Sequence, residues 1–290
     1  MNGKPKYINT GGTLLDLSIP RVMGIINVTP DSFYGGSRVH GEKEIVEKAL
    51  SMISDGAAIL DVGGYSTRPY ASEVSQDEEG RRVLEAIRII KREIPDAIVS
   101  VDTFRARLAF EAVSECGAQI INDISGGEAD QEMFSTVRNL NVPYIMMHMQ
   151  GMPGNMQNNP VYNDVVADIL KWFGKKIVTL QEGGVKDIIL DPGFGFGKTI
   201  MHNFEMLRRF SDFSIAGLPL LAGISRKSMV WKTLEITPDE ALNGTSVLNA
   251  AALLGGADIL RVHDVKEAVQ AVKLICKLKN TTGEIKPKPE

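Results

Sequence analysis

Eight short apolar runs in this chain each end in residues that can donate a hydrogen bond, accept one or carry charge. In order these are Asn27, Asp61, Asp102, Asn122 with Asp123, His148, Asp191, Ser225-Arg226-Lys227, and Arg261 with His263. Taken singly, each reads as a turn or cap residue, since Asn, Asp and Ser favour turns for local reasons. Taken together, they mix carboxylates, amides and cations. A purely structural protein has no reason to gather desolvated charge at one end, because each charge must find a partner or cost stability. Two familiar chemistries fail on spacing. The segment Asp191-Pro192-Gly193-Phe194-Gly195-Phe196-Gly197-Lys198-Thr199 has Pro192 where a phosphate-binding loop needs its first glycine. Gly64-Tyr65-Ser66-Thr67-Arg68 lacks the second glycine of a nucleophile elbow.

The elements that must position these residues are legible as a rhythm. Apolar runs bounded by turn residues lie at Val22–Asn27, Ala57–Val62, Ala97–Asp102, Ala118–Asp123, Val142–His148, Asp187–Asp191, Pro219–Ile224 and Ala257–Val262. They read as continuous Ile, Val and Leu without alternation, as parallel strands covered on both faces do. Amphipathic stretches at Glu42–Ser54, Asp77–Glu93, Arg105–Cys116, Gln131–Asn139, Asn163–Gly183, Asn203–Phe210, Pro238–Leu254 and Lys266–Leu278 fill the gaps. Eight strand-then-helix units predict a closed (β/α)8 TIM barrel, the alternative being a doubly wound open sheet, disfavoured by the missing glycine-rich fingerprint after the first strand. In a barrel the strands' C-terminal ends open onto one rim, so the polar set converges on one cup.

Ahead of the first strand, Lys6–Ile8 and Thr13–Leu17 flank Asn9-Thr10-Gly11-Gly12, a hairpin signal. The division expected is a capping hairpin over 1–20, a barrel over 21–279 and a flexible tail over 280–290. Two connections, Val28–Gly41 and Gly63–Gln76, exceed the usual βα loop and read as lids over the rim.

Composition narrows the class. The 290 residues are 43% hydrophobic and 23% charged, enough apolar material for a large core. Lys and Arg total 32 against 36 Asp and Glu with no long run of either sign, which excludes a nucleic-acid or membrane-surface partner. No apolar stretch is long enough to span a bilayer and the N-terminus has no signal-like core; with two distant cysteines, Cys116 and Cys276, the expected location is cytoplasmic.

At these positions the sequence resembles the dihydropteroate synthase family over nearly its whole length. The resemblance rests on Asn27-Val28-Thr29-Pro30-Asp31-Ser32-Phe33, Gly63-Gly64 with Ser66-Thr67-Arg68-Pro69, and Ser100-Val101-Asp102-Thr103. It continues through Asn122-Asp123, Met147-His148-Met149-Gln150-Gly151, the Asp191–Lys198 segment, Ser225-Arg226-Lys227-Ser228 and Arg261-Val262-His263-Asp264. It implies a transferase of folate biosynthesis that joins 6-hydroxymethyl-7,8-dihydropterin diphosphate to 4-aminobenzoate, releasing pyrophosphate, with sulfonamides as competitors. By the same resemblance Asp102, Asn122, Met147, Asp191 and Lys227 bind the pterin, and Thr67, Arg68, Arg261 and His263 bind the diphosphate. Phe33, Pro69, Phe196 and Ser228 surround 4-aminobenzoate, and Asn27 holds Mg²⁺. Asp102, Lys227 and Arg68 are the implied catalytic residues of an SN1-like reaction in which a fixed carboxylate stabilises the cation left at the pterin methylene. A homodimer is implied too.

The family pattern is broken at Tyr65, commonly glutamate, and Tyr70, commonly glycine, both in the second long loop. Two other readings compete: a pterin-binding domain that passes a methyl group to a corrinoid protein, and a catalytically dead barrel acting as a binding module.

Overall fold

The computed structural model describes residues 7–28, 38–64, 76–151 and 160–280. The expectations attached to Phe33, Tyr65, Thr67, Arg68, Pro69, Tyr70 and the tail lie outside the described residues. The chain opens with a hairpin of β1 (Tyr7–Thr10) and β2 (Thr13–Asp16). Eight parallel strands follow: β3 (Arg21–Asn27), β4 (Ile59–Gly63), β5 (Val99–Asp102), β6 (Ile120–Asp123), β7 (Tyr144–Met147), β8 (Ile188–Asp191), β9 (Leu221–Ala222) and β10 (Ile259–Val262). From β3 to β8 each pairs with the next in chain order, and β10 pairs with both β3 and β9. The ring closes where the Leu190 N–H donates to the carbonyl of Pro219, beside a parallel bridge between Leu190 and Leu220. This is the expected TIM barrel.

Between the strands run α1 (Arg38–Ser54), α2 (Gln76–Glu93), α3 (Ala106–Ser114), α4 (Met133–Leu140), α5 (Val165–Glu182), α6 (Ile200–Arg208), α7 (Ser228–Trp231), α8 (Leu242–Leu254) and α9 (Val265–Asn280). Helix boundaries differ from the sequence expectation by a few residues, and at two helices the reason is identifiable. Helix α6 starts ahead of Asn203 because Thr199 caps it, its side chain accepting from the His202 N–H while His202 Nδ1 accepts from the Thr199 N–H. A histidine in the place usually held by Glu or Gln hides that capping box from a sequence search. Helix α8 starts at Leu242 rather than Pro238, because Glu240 accepts from the Thr237 N–H and hydroxyl and holds a separate turn. The short α7, absent from the eight amphipathic stretches, directly follows Lys227.

The strands do alternate, contrary to their reading as continuous runs. Met23, Ile59, Ile120, Ile145, Ile189, Leu221 and Ile259 point into the barrel as one apolar layer, with Ile98 at the foot of β5. Val22, Leu60, Ile121, Tyr144, Ile188, Leu220 and Leu260 face the helices in the main core. Because strand side chains repeat with period two, the next inward residue on each strand is Ile25, Asp61, Ser100, Asn122, Met147, Asp191, Gly223 and Arg261. The barrel interior is therefore apolar at the bottom and mostly polar one layer up.

The hairpin seals the bottom. Ile8 and Leu17 join the inner apolar layer, and the Asn9 N–H donates to Asp187 at the foot of β8. Ile8 is only 1% exposed, so Ile8→Ala is expected to cost about 2–4 kcal/mol of stability. Urea unfolding checks this; an unchanged midpoint would mean that the hairpin does not seal the layer.

Candidate active site

The polar layer converges on a compact charge network. Arg261, rising from β10, donates from Nε to Asp61 Oδ2 at 2.6 Å and from Nη2 to Asp102 Oδ2 at 2.5 Å. Asn122 donates from Nδ2 to the same Asp61 oxygen at 3.0 Å. Asp61 has no side-chain exposure, whereas Arg261 and Asp102 each keep 19%, so the network is buried at its base and open at its top. Gly223 lies between the two charges: a Cβ there would be 3.9 Å from Asp191 Oδ2 and 4.0 Å from Arg261 Cβ, ordinary contact distances. Asp102, Asn122, Asp191 and Arg261, all singled out in the sequence, thus meet in one cup.

Burial sets the electrostatics. It raises the Asp102 carboxyl to about 7; Arg261 pulls it down, while Asp61, Glu79 and Asp123 push it further up. Burial also raises Asp191, opposed by Lys227, by the Gly193 N–H at 2.8 Å and by Arg261. Lys227 is held down to about 8 by burial, with Asp191 drawing it up, Arg261 pressing it down and Asp102 drawing it up. Its ammonium donates to the Phe194 carbonyl and lies 4.3 Å from the centre of the Phe196 ring.

One wall is apolar. Met147, Met149, Ile124 and Phe196 form a small buried cluster with Phe104 against it. Phe196, expected beside 4-aminobenzoate, therefore shares a surface with Met147, expected against the pterin. Met146 points the other way into the main core, as ordinary filler.

The loops after β7 and β8 are locked together. A Cβ on Gly193 would fall 2.0 Å from the His148 carbonyl oxygen, and one on Gly197 would fall 2.3 Å from that of Gln150, so only glycine permits the approach. Lys198, 3% exposed, ties the same loops by donating to the carbonyls of Phe196 and His148 at 2.9 and 3.2 Å, with His148 Nδ1 at 3.0 Å. The glycine-rich segment that fails as a phosphate loop is thus a close-packed brace. Sequence reasoning gave Lys198 no role.

His148 lies just beyond β7 and packs its ring edge-on against Trp172. Burial and Lys198 hold it down to about 2, far below its ordinary 6.5. The unfolded chain takes up a proton that the folded one refuses, so the His148 contribution is complete above pH 6.5 and declines as pH falls, by up to roughly 1.4 kcal/mol per unit. Asp102 titrates in the opposite sense, so the effect is read as a difference: between pH 6.5 and 5, His148→Asn is expected to lose less stability than wild type in urea unfolding. Equal losses would refute it.

At the rim, His263 Nδ1 lies 3.0 Å from Ser225 Oγ, which also accepts from the His263 backbone N–H. Burial and Arg261 hold His263 down to about 4, leaving a neutral ring at pH 7. Asn27 ends β3, between the strands carrying Arg261 and Asp61, and Ser228 opens α7 directly after Lys227. Two other strand-end residues are structural. Asp123 accepts from Ser125 N, Ser125 Oγ, Gly127 N and Tyr144 Oη, each at 2.7 Å, as an outward-facing cap. Arg226, in a left-handed conformation, makes a paired contact to Asp264 at 2.9 and 2.8 Å. The residue that sequence reasoning undervalued is Asp61, noted as a strand end and given no part. The signal was its spacing, two residues above the inward Ile59.

Known proteins are similar to this chain over most of its length. The family described as pterin binding enzyme matches residues 23–263. The dihydropteroate synthase of Escherichia coli (strain K12) is 43% identical over 266 residues, covering 91% of this chain and 93% of that one. The Yersinia pestis dihydropteroate synthase in a sulfonamide drug complex superposes with a TM-score of 0.88 at 39% identity, over 95% of this chain and all of that one. The Xanthomonas albilineans dihydropteroate synthase with 4-aminobenzoic acid gives 0.87 at 34% identity, over 96% and 100%.

Proposed function

Since the chain belongs to the pterin binding enzyme family, we infer that it acts as a dihydropteroate synthase, a transferase of folate synthesis that condenses 6-hydroxymethyl-7,8-dihydropterin diphosphate with 4-aminobenzoate. The observation that carries this is the buried cup of Asp102, Asn122, Asp191, Lys227 and Arg261 within a barrel matched over almost its full length by such enzymes. A corrinoid methyltransferase is not favoured, because the similarity at 43% identity runs through 91% of the chain to an enzyme of the synthase type.

Within this reading each side chain has a task. Asp191 accepts from the amino and ring N–H groups on one pterin edge, its charge balanced by Lys227. Asn122 offers its amide to the ring, and Met147 with Phe196 forms the apolar wall against the ring face. Asp102 faces the reactive methylene, where departure of diphosphate leaves positive charge that a fixed carboxylate stabilises. Arg261 and His263 form the anion end, with Ser225 donating to His263 Nδ1 so that Nε2–H remains a donor. Thr67 and Arg68 would complete that end, with Phe33, Pro69 and Ser228 around 4-aminobenzoate and around the sulfonamides that compete with it.

Mg²⁺ fits the rim as a lightly held ion. Among the described residues no three or more His, Cys, Asp or Glu gather to hold a metal, and the single amide oxygen of Asn27 suits a cation that keeps its waters and leans on phosphate oxygens. When bound it would neutralise the leaving diphosphate. A cytoplasmic homodimer completes the proposal. Val247 and Leu254 on α8, with Leu274 and Leu278 on α9, are exposed apolar residues at helical spacing on adjacent helices. No helix among the described residues is long and apolar enough to cross a membrane.

The test is a pyrophosphate-release assay with both substrates, with and without Mg²⁺. Release that requires both substrates is the expected result, and none under any condition overturns the reading.

A further inference from the structure

Asp61 shares the inward layer of Asn122, Asp191 and Arg261 but has no side-chain exposure, and its surroundings explain why a fully buried carboxylate is kept there. Both of its hydrogen bonds converge on one oxygen, Oδ2, from Arg261 Nε at 2.6 Å and from Asn122 Nδ2 at 3.0 Å. A carboxylate only accepts, so the Asn122 amide must turn its NH₂ down toward Asp61, leaving Oδ1 as its acceptor. The same contact fixes the guanidinium plane of Arg261, whose Nη2 then reaches Asp102 Oδ2 at 2.5 Å. The second oxygen, Oδ1, is buried and unpartnered, as is Oγ of Ser100, its neighbour in register on β5. Removal of one partner from such a buried network leaves the others uncompensated.

We propose that Asp61 is a positioning residue of the pterin pocket, touching no substrate but setting the amide of Asn122 and the guanidinium of Arg261 in the orientation that binding and turnover require. The proposal rests on the synthase reading and deepens it. It also has an electrostatic side. The charges facing Asp102 are Arg261 from β10, Asp61 from β4, Glu79 from α2, Asp123 from β6 and Lys227 after β9. Asp61 is one of the like charges that keep the Asp102 carboxyl high, so its neutralisation lets that carboxyl ionise at lower pH.

Two substitutions separate orientation from charge. Asp61→Asn can accept both bonds on one carbonyl oxygen, keeping the geometry without the charge. Asp61→Ala removes both. Affinity for pterin diphosphate is measured by calorimetry, with kcat and KM for both substrates across pH, for these variants, Asn122→Ala and the Asp61→Ala/Asn122→Ala double variant. Asp61→Ala is expected to lose at least about 30-fold in pterin diphosphate affinity, with the 4-aminobenzoate KM moving less than about threefold, and Asp61→Asn to recover most of the loss. The acidic limb of kcat/KM should move to lower pH in Asp61→Asn. The double variant should lose clearly less than the product of the single losses, because Asp61 acts partly through Asn122. Wild-type affinity in Asp61→Ala, or fully multiplicative losses, overturns the proposal. Should Asp61→Ala fail to fold, Asp61→Asn decides, and an unmoved limb overturns it. A wild-type protein that releases no pyrophosphate overturns the synthase reading instead, so the two failures are distinct.

Discussion

Lys227→Ala is expected to weaken pterin binding by about two orders of magnitude, close to 3 kcal/mol, while the protein stays folded. The loss has three sources. The ammonium donates to the Phe194 carbonyl, lies over the Phe196 ring and opposes the burial of Asp191. Without it, the Asp191 carboxyl rises further and presents less negative charge to the pterin edge. The fold survives because Lys227 is only partly buried, and the backbone, not the side chain, carries the turn into α7. Titration calorimetry with a pterin ligand, beside a thermal melt, measures both effects, and unchanged affinity would refute the assignment of Lys227 to the pocket.

Asp102→Asn is expected to lower kcat by roughly 10²–10³-fold, the usual scale for loss of one preorganised electrostatic contact. The substitution keeps the shape of the side chain and a hydrogen-bonding oxygen for Arg261, but removes the charge placed to stabilise a cation. The pH profile gives a second signature. With the Asp102 carboxyl raised to about 7, wild-type kcat/KM should climb with pH through the neutral range as the ionised form fills. Arg261 and the charges around it set where this carboxyl titrates, so the limb reports on the network and not on one isolated group. In Asp102→Asn that limb should vanish from the residual activity. A kcat within about threefold of wild type would rule out a transition-state role for the carboxylate.

The barrel was legible in the sequence because its strands are short apolar runs at regular intervals, and length and order settle topology without reference to faces. The alternation inside each strand was not. In Ile120-Ile121 and Ile188-Ile189 the inward and outward residues are both apolar at the bottom of the barrel, which masks the period of two. Only one layer higher does the inward residue change to Asp, Asn or Arg, and that change is the site. Asp61 shows why local reading falls short. Its partners Asn122 and Arg261 are 61 and 200 positions away, so nothing near it in the chain reveals its work. Lys198 was missed for another reason: it sits in a segment whose motif had failed, and its ties to His148 appear only once two loops are packed.

The hairpin under the barrel bears on the order in which the molecule is assembled. Ile8 and Leu17 leave the ribosome before any strand of the barrel, yet the layer they complete takes Met23 from β3 and Ile259 from β10, near opposite ends of the chain. These two side chains therefore have no finished surface to bury against until synthesis is nearly over. The hairpin is made before the barrel yet can dock fully only after β10, and until then its apolar residues are open to chaperones and to other nascent chains.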